Sequence, residues 1–485
     1  MDCPEEILIK IFEFVYYEPY NWVDQRSLAA LARTCRRFQN PALDILWSNL
    51  STLKPLFYCL PEGSWTITIG GEIQLTRHSW TPEDWKACLK YTPRIKRLGI
   101  DLRWMLSGGH FGDIYSIGPL QALAVQCFDF EAVRDVAEPL CSQSPLLEKL
   151  FIRMPMKYLS PNPELSCLLQ NMICGHQCLR QLFCTETLLP QEVLRFLSAS
   201  KIEVLSIRNT AEELLQNLPS TEQGFSSLRR LTVCASHLKY CSELLQRINT
   251  RSLQSFEVVH LHLPDSLSIK ELFQTLERRC SHALFNSVHL HQPRHSEENY
   301  YAPEYGLALS NFRPLFAFKN LEVLEIELFC PFRLDTSDIK LMAPKWPCMR
   351  QFKLGYYYKG FGHPSKISVN CLLSFARHWP DLEELSISLG DLWKTSHVQG
   401  RPGRGYSCPK VIDLALGDSR VDSQSCYRPL AEFLDDFFPS IDGVIKRREM
   451  GSLERHIGPW VYITDIMAEL ATEREEAELD SDSQP

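Results

Sequence analysis

The sequence predicts an α/β protein: an N-terminal module of three helices, then a solenoid with a curved parallel sheet inside and helices outside. Three observations predict this fold class. Apolar residues recur with helical spacing through the first fifty positions, and a short apolar motif recurs twelve times after residue 94. The composition, 45% hydrophobic and 23% charged, is typical of a folded chain.

The N-terminal module is expected to hold three short helices. Pro4 suits the first turn of a helix, because an N–H at that position would have no helical partner. A second helix is expected from Ser27, a good N-cap residue, and a third from Asn40-Pro41. The apolar positions with helical spacing are Ile7, Leu8, Ile11, Phe12 and Val15 in the first helix, Leu28, Leu31, Ala32 and Cys35 in the second, and Leu43, Leu46 and Trp47 in the third.

These helices resemble an F-box. The family pattern is a Leu-Pro pair, an Ile-Phe pair, a Leu-rich second helix, Cys-Arg-Arg before an aromatic residue, and a closing Trp. Cys3 stands here in place of the leucine, and the loop from Tyr16 to Arg26 is longer than in compact family members. The matching residues are Pro4, Ile7, Ile11-Phe12, Leu28, Leu31, Cys35-Arg36-Arg37-Phe38 and Trp47. As far as about residue 100, the chain resembles the F-box-like proteins of fungi.

The resemblance implies a partner. F-box helices bind the Skp adaptor of cullin-type ubiquitin ligases, so this chain is expected to bind Skp and, through it, a cullin. The resemblance assigns Skp docking to Pro4, Ile7, Leu8, Ile11, Phe12, Leu28, Leu31, Cys35, Phe38 and Trp47. The alternative is a helical cap that packs on the solenoid and binds no adaptor, since three short helices bury little apolar surface alone.

The recurring motif is apolar-x-x-apolar-x-apolar. The first and last copies begin 315 residues apart, so the eleven intervals average about 29 residues, within the range of leucine-rich repeats. The motif alternates as a strand does, and the residues between copies can return as a helix to begin the next parallel strand. The copies begin at Ile95, Leu120, Leu147, Leu179, Ile202, Leu228, Leu253, Phe285, Leu321, Met349, Leu382 and Lys410.

These patterns divide the chain into five segments. They are an F-box-like domain at 1–50, a linker or capping segment at 51–94, an irregular leucine-rich-repeat solenoid at 95–440, a C-terminal cap helix region at 441–468 and an acidic tail, expected to be disordered, at 469–485. A terminal helix is expected from Val461 to Ala477. Insertions fall at Gln292–Phe316 and Leu389–Pro409, and the second, which is rich in glycine, is expected to be a mobile loop.

Charge and cysteine content indicate the compartment and exclude some partners. The net charge of -8 does not suit a nucleic-acid binder, which needs a basic face. The 18 cysteines are about 4% of the residues, too few for a disulfide-stapled secreted scaffold. No apolar run reaches the ~18 residues of a membrane span, and acidic residues follow Met1 where a signal peptide needs bases. We therefore expect a cytoplasmic or nuclear protein that binds no membrane.

No motif predicts an enzyme, a cofactor or a metal. The sequence has no phosphate-binding loop, Gly-x-Ser-x-Gly elbow or His-Glu-x-x-His helix. One group of potential zinc ligands is Cys167, Cys174, His176, Cys178 and Cys184. Its cysteines are expected to be core thiols, because the spacing of the group is irregular for zinc. A histidine group could form a metal-binding or pH-sensitive patch, although a polar sheet face is favoured. Its members are His260, His262, His282, His289, His291 and His295.

The concave face of the sheet is expected to bind a protein substrate. The candidate substrate-binding residues are Arg97, Arg153, Arg208, Arg230, His289 and Lys353, beside Glu257, Glu325, Glu327 and Glu384. Arginine binds phosphate and carboxylate with two parallel hydrogen bonds, so the first six repeats could bind an acidic or phosphorylated segment. A solvated charged face is the favoured alternative. The predicted function is a non-catalytic substrate adaptor of a Skp–cullin–F-box ubiquitin ligase; the rival is a repeat scaffold with no ubiquitin role.

Overall fold

A computed structural model describes most of the chain. It covers residues 4–16, 25–67, 73–76, 82–101, 119–126, 133–154, 163–209, 224–260, 264–292, 305–328, 330–355, 365–390, 405–416, 419, 421, 424–441 and 459–482. The chain divides into two compact units, one holding Met1–Arg208 with Gln216–Pro219, the other Asn209–Leu215 with Ser220–Pro485. No helix in these ranges is long and apolar enough to span a lipid bilayer.

Three helices form the start of the first unit: α1 (Glu5–Tyr16), α2 (Gln25–Thr34) and α3 (Arg36–Ser48). They pack around a small core of their own, made of Leu8, Phe12, Leu28, Ala42 and Ile45. The prediction that the third helix opens at Asn40-Pro41 is wrong, because α3 begins at Arg36 and contains Pro41. Phe38, Ala42 and Ile45 follow helical spacing and pack on the core, which outweighs the hydrogen bond that a proline cannot make.

The described residues hold fifteen strands: the first three precede the recurring motif, and the other twelve each coincide with one copy of it. They are β1 (Asn49–Leu50), β2 (Trp65–Ile67), β3 (Ile73–Leu75), β4 (Arg97–Asp101), β5 (Ala122–Gln126), β6 (Lys149–Arg153), β7 (Gln181–Cys184), β8 (Val204–Asn209), β9 (Arg230–Ala235), β10 (Ser255–His260), β11 (Ser287–His291), β12 (Val323–Glu327), β13 (Gln351–Leu354), β14 (Glu384–Ser386) and β15 (Asp413–Ala415). The last motif begins at Val411, not Lys410, since Val411, Leu414 and Leu416 are the buried positions.

The remaining helices lie between and after these strands. They are α4 (Lys54–Phe57), α5 (Pro82–Leu89), α6 (Glu138–Ser142), α7 (Pro163–Cys174), α8 (Gln191–Ala199), α9 (Leu238–Arg247), α10 (Ser266–Arg279), α11 (Leu309–Phe312), α12 (Thr336–Met342), α13 (Leu372–His378), α14 (Tyr427–Phe437) and α15 (Pro459–Asp482). Short 3₁₀ turns lie at Thr92–Arg94, Arg313–Ala317, Ala343–Lys345, Val369–Cys371 and Gln424–Cys426, and a π-helical turn lies at Val133–Ala137.

Each unit carries a parallel sheet. In the first, β1 and β4 to β8 are neighbours in chain order; in the second, β9 to β15 are. Each motif buries its three apolar positions, as Leu147, Leu150 and Ile152 show, and each such side chain contributes about 1.5–3 kcal/mol. This is the expected fold class: a helical N-terminal module followed by a leucine-rich-repeat solenoid.

The acidic C-terminal segment departs from its prediction. Residues 469–485 were expected to be disordered, but α15 continues to Asp482. Ile463 and Met467 are buried one turn apart and hold the beginning of the helix in place. The Glu, Ala and Leu residues after them are strong helix formers, so an acidic composition that cannot build a core still propagates a helix. Most of the predicted loop Leu389–Pro409 lies outside the described residues.

Candidate functional site

An apolar stripe is exposed on α1. Ile7, Ile11 and Phe14 lie at positions i, i+4 and i+7, which share one helix face, and their exposed fractions are 45%, 49% and 73%. Leu8 and Phe12 occupy a different face and are buried in the three-helix core. The helix therefore has two apolar faces, one inside the module and one in solvent. Exposed apolar patches of this kind mark binding surfaces in soluble proteins.

The structure separates the residues assigned to Skp docking. Ile7 and Ile11 are in the stripe, while Leu8, Phe12 and Leu28 are buried in the core. Leu31 and Phe38 are partly buried against that core, and Pro4 and Cys35 are exposed. Phe14 was missed by the sequence analysis. The sequence could have identified Phe14, because it lies three residues after Ile11 and this spacing places both side chains on the same face of the helix.

Trp47 is in a third environment. Its ring stacks on Tyr91, with centroids 4.2 Å apart and planes 7° from parallel. On the same helix, Asn40 accepts a hydrogen bond of 3.0 Å from Arg94, and Asp44 forms an ion pair with that guanidinium. Since Tyr91 and Arg94 lie just before β4, α3 is attached to the start of the repeats.

The open face of each sheet is the side whose residues alternate with the buried apolar positions. In the first unit the candidate arginines do not form a cluster there. Arg97 and Arg153 are four register positions apart across β4 to β6, and Arg153 forms an ion pair of 2.8 Å with Glu186. Arg208 was predicted to be exposed but is only 4% exposed.

The burial of Arg208 has a physical reason. Alternation along a strand fixes the face on which a residue lies, not whether that face is covered. Ser206, the neighbouring open-face residue of β8, is buried as well, so this part of the face is covered. On the two strands before β8, Phe151 of β6 and Phe183 of β7 stack on the open face with ring centroids 3.8 Å apart. Arg230, in the second unit, is exposed at the start of β9.

In the second unit, polar side chains form a continuous row across the open face. The register pairs Thr232 with Glu257, Glu257 with His289, His289 with Glu325 and Glu325 with Lys353. Three of these four pairs make a polar contact. Thr232 donates to Glu257 at 2.9 Å, His289 Nδ1 is 2.9 Å from Glu325 Oε2, and Lys353 Nζ is 3.6 Å from Glu325 Oε1.

A second row lies beside it. His291 is paired in register with Glu327, and its Nδ1 is 3.0 Å from Glu327 Oε2. Its Nε2 is 4.0 Å from both Glu257 Oε1 and Glu325 Oε2. His289, His291 and Glu325 each offer one ligand atom, and these three atoms lie within 4.8 Å of one another. We call these three residues, with Glu257 and Glu327, the His–Glu cluster.

The charged groups in and beside the cluster shift the pKa values of their neighbours. Burial acts to raise the pKa of Glu325, but the hydrogen bond from His289 and the charge of Lys353 outweigh it and lower the pKa to about 2. Burial acts to lower the pKa of His291, yet Glu327 and the neighbouring carboxylates raise it above its usual value. The pKa of Lys353 is also raised, since Glu384 and Glu325 outweigh its burial.

The cysteine set and the other histidines named from the sequence form no further group of metal ligands among the described residues. Cys167 and Cys178 are exposed, whereas Cys184 is buried and burial raises its pKa to about 12. The expectation that these cysteines are core thiols is therefore wrong for Cys167 and Cys178. Of the histidine group, only His289 and His291 meet among the described side chains; His282 lies on a turn, with Nε2 2.8 Å from the Glu277 carbonyl. His262 and His295 and the side chain of His260 lie outside the described residues.

Comparison with known proteins adds a family match and likenesses to solved structures. The F-box-like family model matches residues 2–52, which hold α1, α2 and α3. No curated protein matches the chain. A leucine-rich-repeat protein of Leptospira interrogans aligns with a TM-score of 0.32 and 13% identity over 73% of this chain and 79% of that one. The repeat fold therefore rests on the register and buried positions of the strands, and the chain combines it with an F-box-like region.

Proposed function

We propose that this chain is the substrate-recognition adaptor of a Skp–cullin–F-box ubiquitin ligase, of the type found in fungi. The observation that carries the proposal is the exposed stripe of Ile7, Ile11 and Phe14 within the region that the F-box-like model matches. An adaptor helix that packs on this face would remove three apolar side chains from water. That burial is the main source of affinity in such helix–helix interfaces.

The proposed mechanism is positional. The F-box-like helices bind Skp, and the open face of the repeats binds a protein substrate. The chain performs no bond chemistry; it raises the effective concentration of a substrate lysine near a ubiquitin-loaded enzyme. Because this machinery works inside the cell, we propose a cytoplasmic or nuclear location.

Binding between the full chain and Skp tests the proposal. Ile7→Asp and Ile11→Asp each place a charge in the interface and are expected to weaken binding about 10- to 100-fold, the equivalent of one buried aliphatic side chain. Ile412→Asp is the matched control, since Ile412 is 66% exposed in the second unit. It should bind as the wild type does. Equal affinities for all four proteins would show that Skp docking does not use α1.

The rival function is a repeat scaffold whose helices form only a cap. The stacking of Trp47 on Tyr91 and the contacts of Arg94 with α3 favour it, because they attach the module to the repeats. Leu8 and Ile11, which a cap would also pack onto the first repeat, instead lie in the module's own core and in solvent. Failure of the folded wild-type chain to bind Skp would leave the scaffold as the function.

A further inference from the structure

We propose that His289, His291 and Glu325 bind a divalent transition-metal ion, with zinc as the best fit. The three side chains lie on the open face of β11 and β12 in the second unit. Two imidazoles and a carboxylate form a donor set that suits zinc and its neighbours in the first transition row better than magnesium or calcium. This proposal does not depend on Skp binding, because no residue of α1 takes part.

The backbone brings the donors together. His289 and His291 are two residues apart on β11 and so project from the same face, and His289 is paired in register with Glu325 on β12. The three ligand atoms lie within 4.8 Å of one another. Donors around tetrahedral zinc are about 3.4 Å apart, given bonds of about 2.1 Å. Small side-chain rotations would therefore enclose an ion, with no movement of the strands.

Each histidine has a second polar partner that can hold its ring. Glu327, which is 8% exposed, contacts His291 Nδ1 at 3.0 Å. An Nδ1–H donated to this carboxylate leaves the lone pair of Nε2 directed at Glu257 and Glu325. His289 Nε2 is 2.7 Å from Ser287 Oγ. When an ion replaces the proton between His289 Nδ1 and Glu325, the Nε2–H tautomer can donate to that hydroxyl and present the Nδ1 lone pair to the ion. Metal-binding histidines are commonly oriented by such a carboxylate or hydroxyl partner.

The local charge favours a cation. Glu257, Glu325 and Glu327 lie against the two rings, and the ammonium of Lys353 lies between Glu325 and Glu384. With neutral imidazoles the carboxylates exceed the ammonium, so a divalent ion would reduce the repulsion. Lys353 contacts Glu325 Oε1, which leaves Oε2 for the ion. Glu257 Oε1, 4.0 Å from His291 Nε2, is available as a fourth donor.

Zinc content of the full chain tests the site. The protein is stripped with EDTA, incubated with zinc, separated from free ion and measured by mass spectrometry. Wild type, His291→Gln and His282→Gln contain the same cysteines, so zinc held by thiols is equal in all three. We expect His291→Gln to retain one equivalent less than the others, and His282→Gln to match the wild type. Equal zinc in all three would overturn the proposal.

Cobalt gives a readout that does not depend on the folding of a variant. With exposed thiols blocked by N-ethylmaleimide, the wild-type chain should give the visible absorption of tetrahedral cobalt with nitrogen and oxygen ligands. Its absence from the wild type would also overturn the proposal. Glu327→Gln should keep one equivalent of zinc but bind it about 10- to 100-fold more weakly. Unchanged affinity in that variant would contradict the role of Glu327 in orienting His291.

Discussion

Two aliphatic residues of the N-terminal module have opposite roles. Leu28 has no exposed surface, whereas Ile7 is 45% exposed. The first holds three helices together, and the second is available to a partner. A substitution at Leu28 would therefore disturb binding by unfolding the module, while a substitution at Ile7 acts on the surface alone. Only the second kind of variant can report on a docking interface.

We expect Leu28→Ala to lower the local stability of the module by about 2–5 kcal/mol, because it leaves a cavity in a closed core. Ile7→Ala, at a half-exposed position, should change it by less than about 1 kcal/mol. Hydrogen exchange followed by mass spectrometry measures both through the amides of α2 and α3. Similar exchange in the two variants would contradict the burial of Leu28.

Helical periodicity could not separate these two roles. Ile7 and Leu8 are adjacent and equally apolar, so the spacing predicts a helix without indicating which of its two apolar faces is inside. That choice is made by the packing of α2 and α3, which contact Leu8 and Phe12. The sequence therefore predicted the helix and most of the stripe, but it grouped residues from both faces into one docking site.

Among the elements, α15 shows how a few buried residues hold a polar helix. Ile463 and Met467 are buried, and Trp460 Nε1 donates to the carbonyl of Ser419 at 3.1 Å. Beyond them the helix is acidic as far as Asp482. Since isolated helices of moderate length are marginal in water, these contacts at its start are expected to maintain the whole element.

Ile463→Asp should detach α15, because it places an unpaired charge in an apolar site at a cost of about 3 kcal/mol. The expected result is loss of amide protection throughout 459–473. The matched control is Val461→Asp, since Val461 lies in the same turn of the helix and is 48% exposed; this variant should keep its amide protection. If both variants retain protected amides, the helix is stable without this anchor.

The strands were predictable from the sequence, whereas the His–Glu cluster was predictable only in part. Each strand is fixed by a local alternation of apolar residues, visible in six consecutive letters. The cluster depends on the register between strands whose paired residues, His289 and Glu325, are 36 positions apart and separated by an insertion. Both residues stand between the second and third buried positions of their motif copies, which indicates that they are neighbours on the open face. The motif does not give the side-chain rotamers, so only the structure shows which polar atoms meet.

On the scale of the whole molecule, the two proposed sites belong to different compact units. The α1 stripe lies in the first unit and the His–Glu cluster in the second, and they have no residue in common. Effects at sites with no shared partners are usually additive. The adaptor role and the metal site can therefore each be present without the other.

The double variant Ile7→Asp with His291→Gln tests this independence. We expect it to lose Skp affinity by the factor seen for Ile7→Asp alone and to lose the one zinc equivalent missing from His291→Gln alone. Skp titrations with and without zinc measure the first effect and zinc content measures the second, each on the wild type, the two single variants and the double variant. A zinc-dependent change in Skp affinity would mean that the two units are energetically coupled.

The parallel register of β9 to β15 also determines which insertions and deletions the protein can tolerate. Insertions between strands lengthen loops without altering which side chains are neighbours in a row, so such changes can accumulate while the cluster persists. A single-residue deletion inside β12 acts differently, since it would turn Glu325 toward the core and Leu324 toward solvent. Natural variation in this protein should therefore tolerate changes of length between strands and reject them within strands.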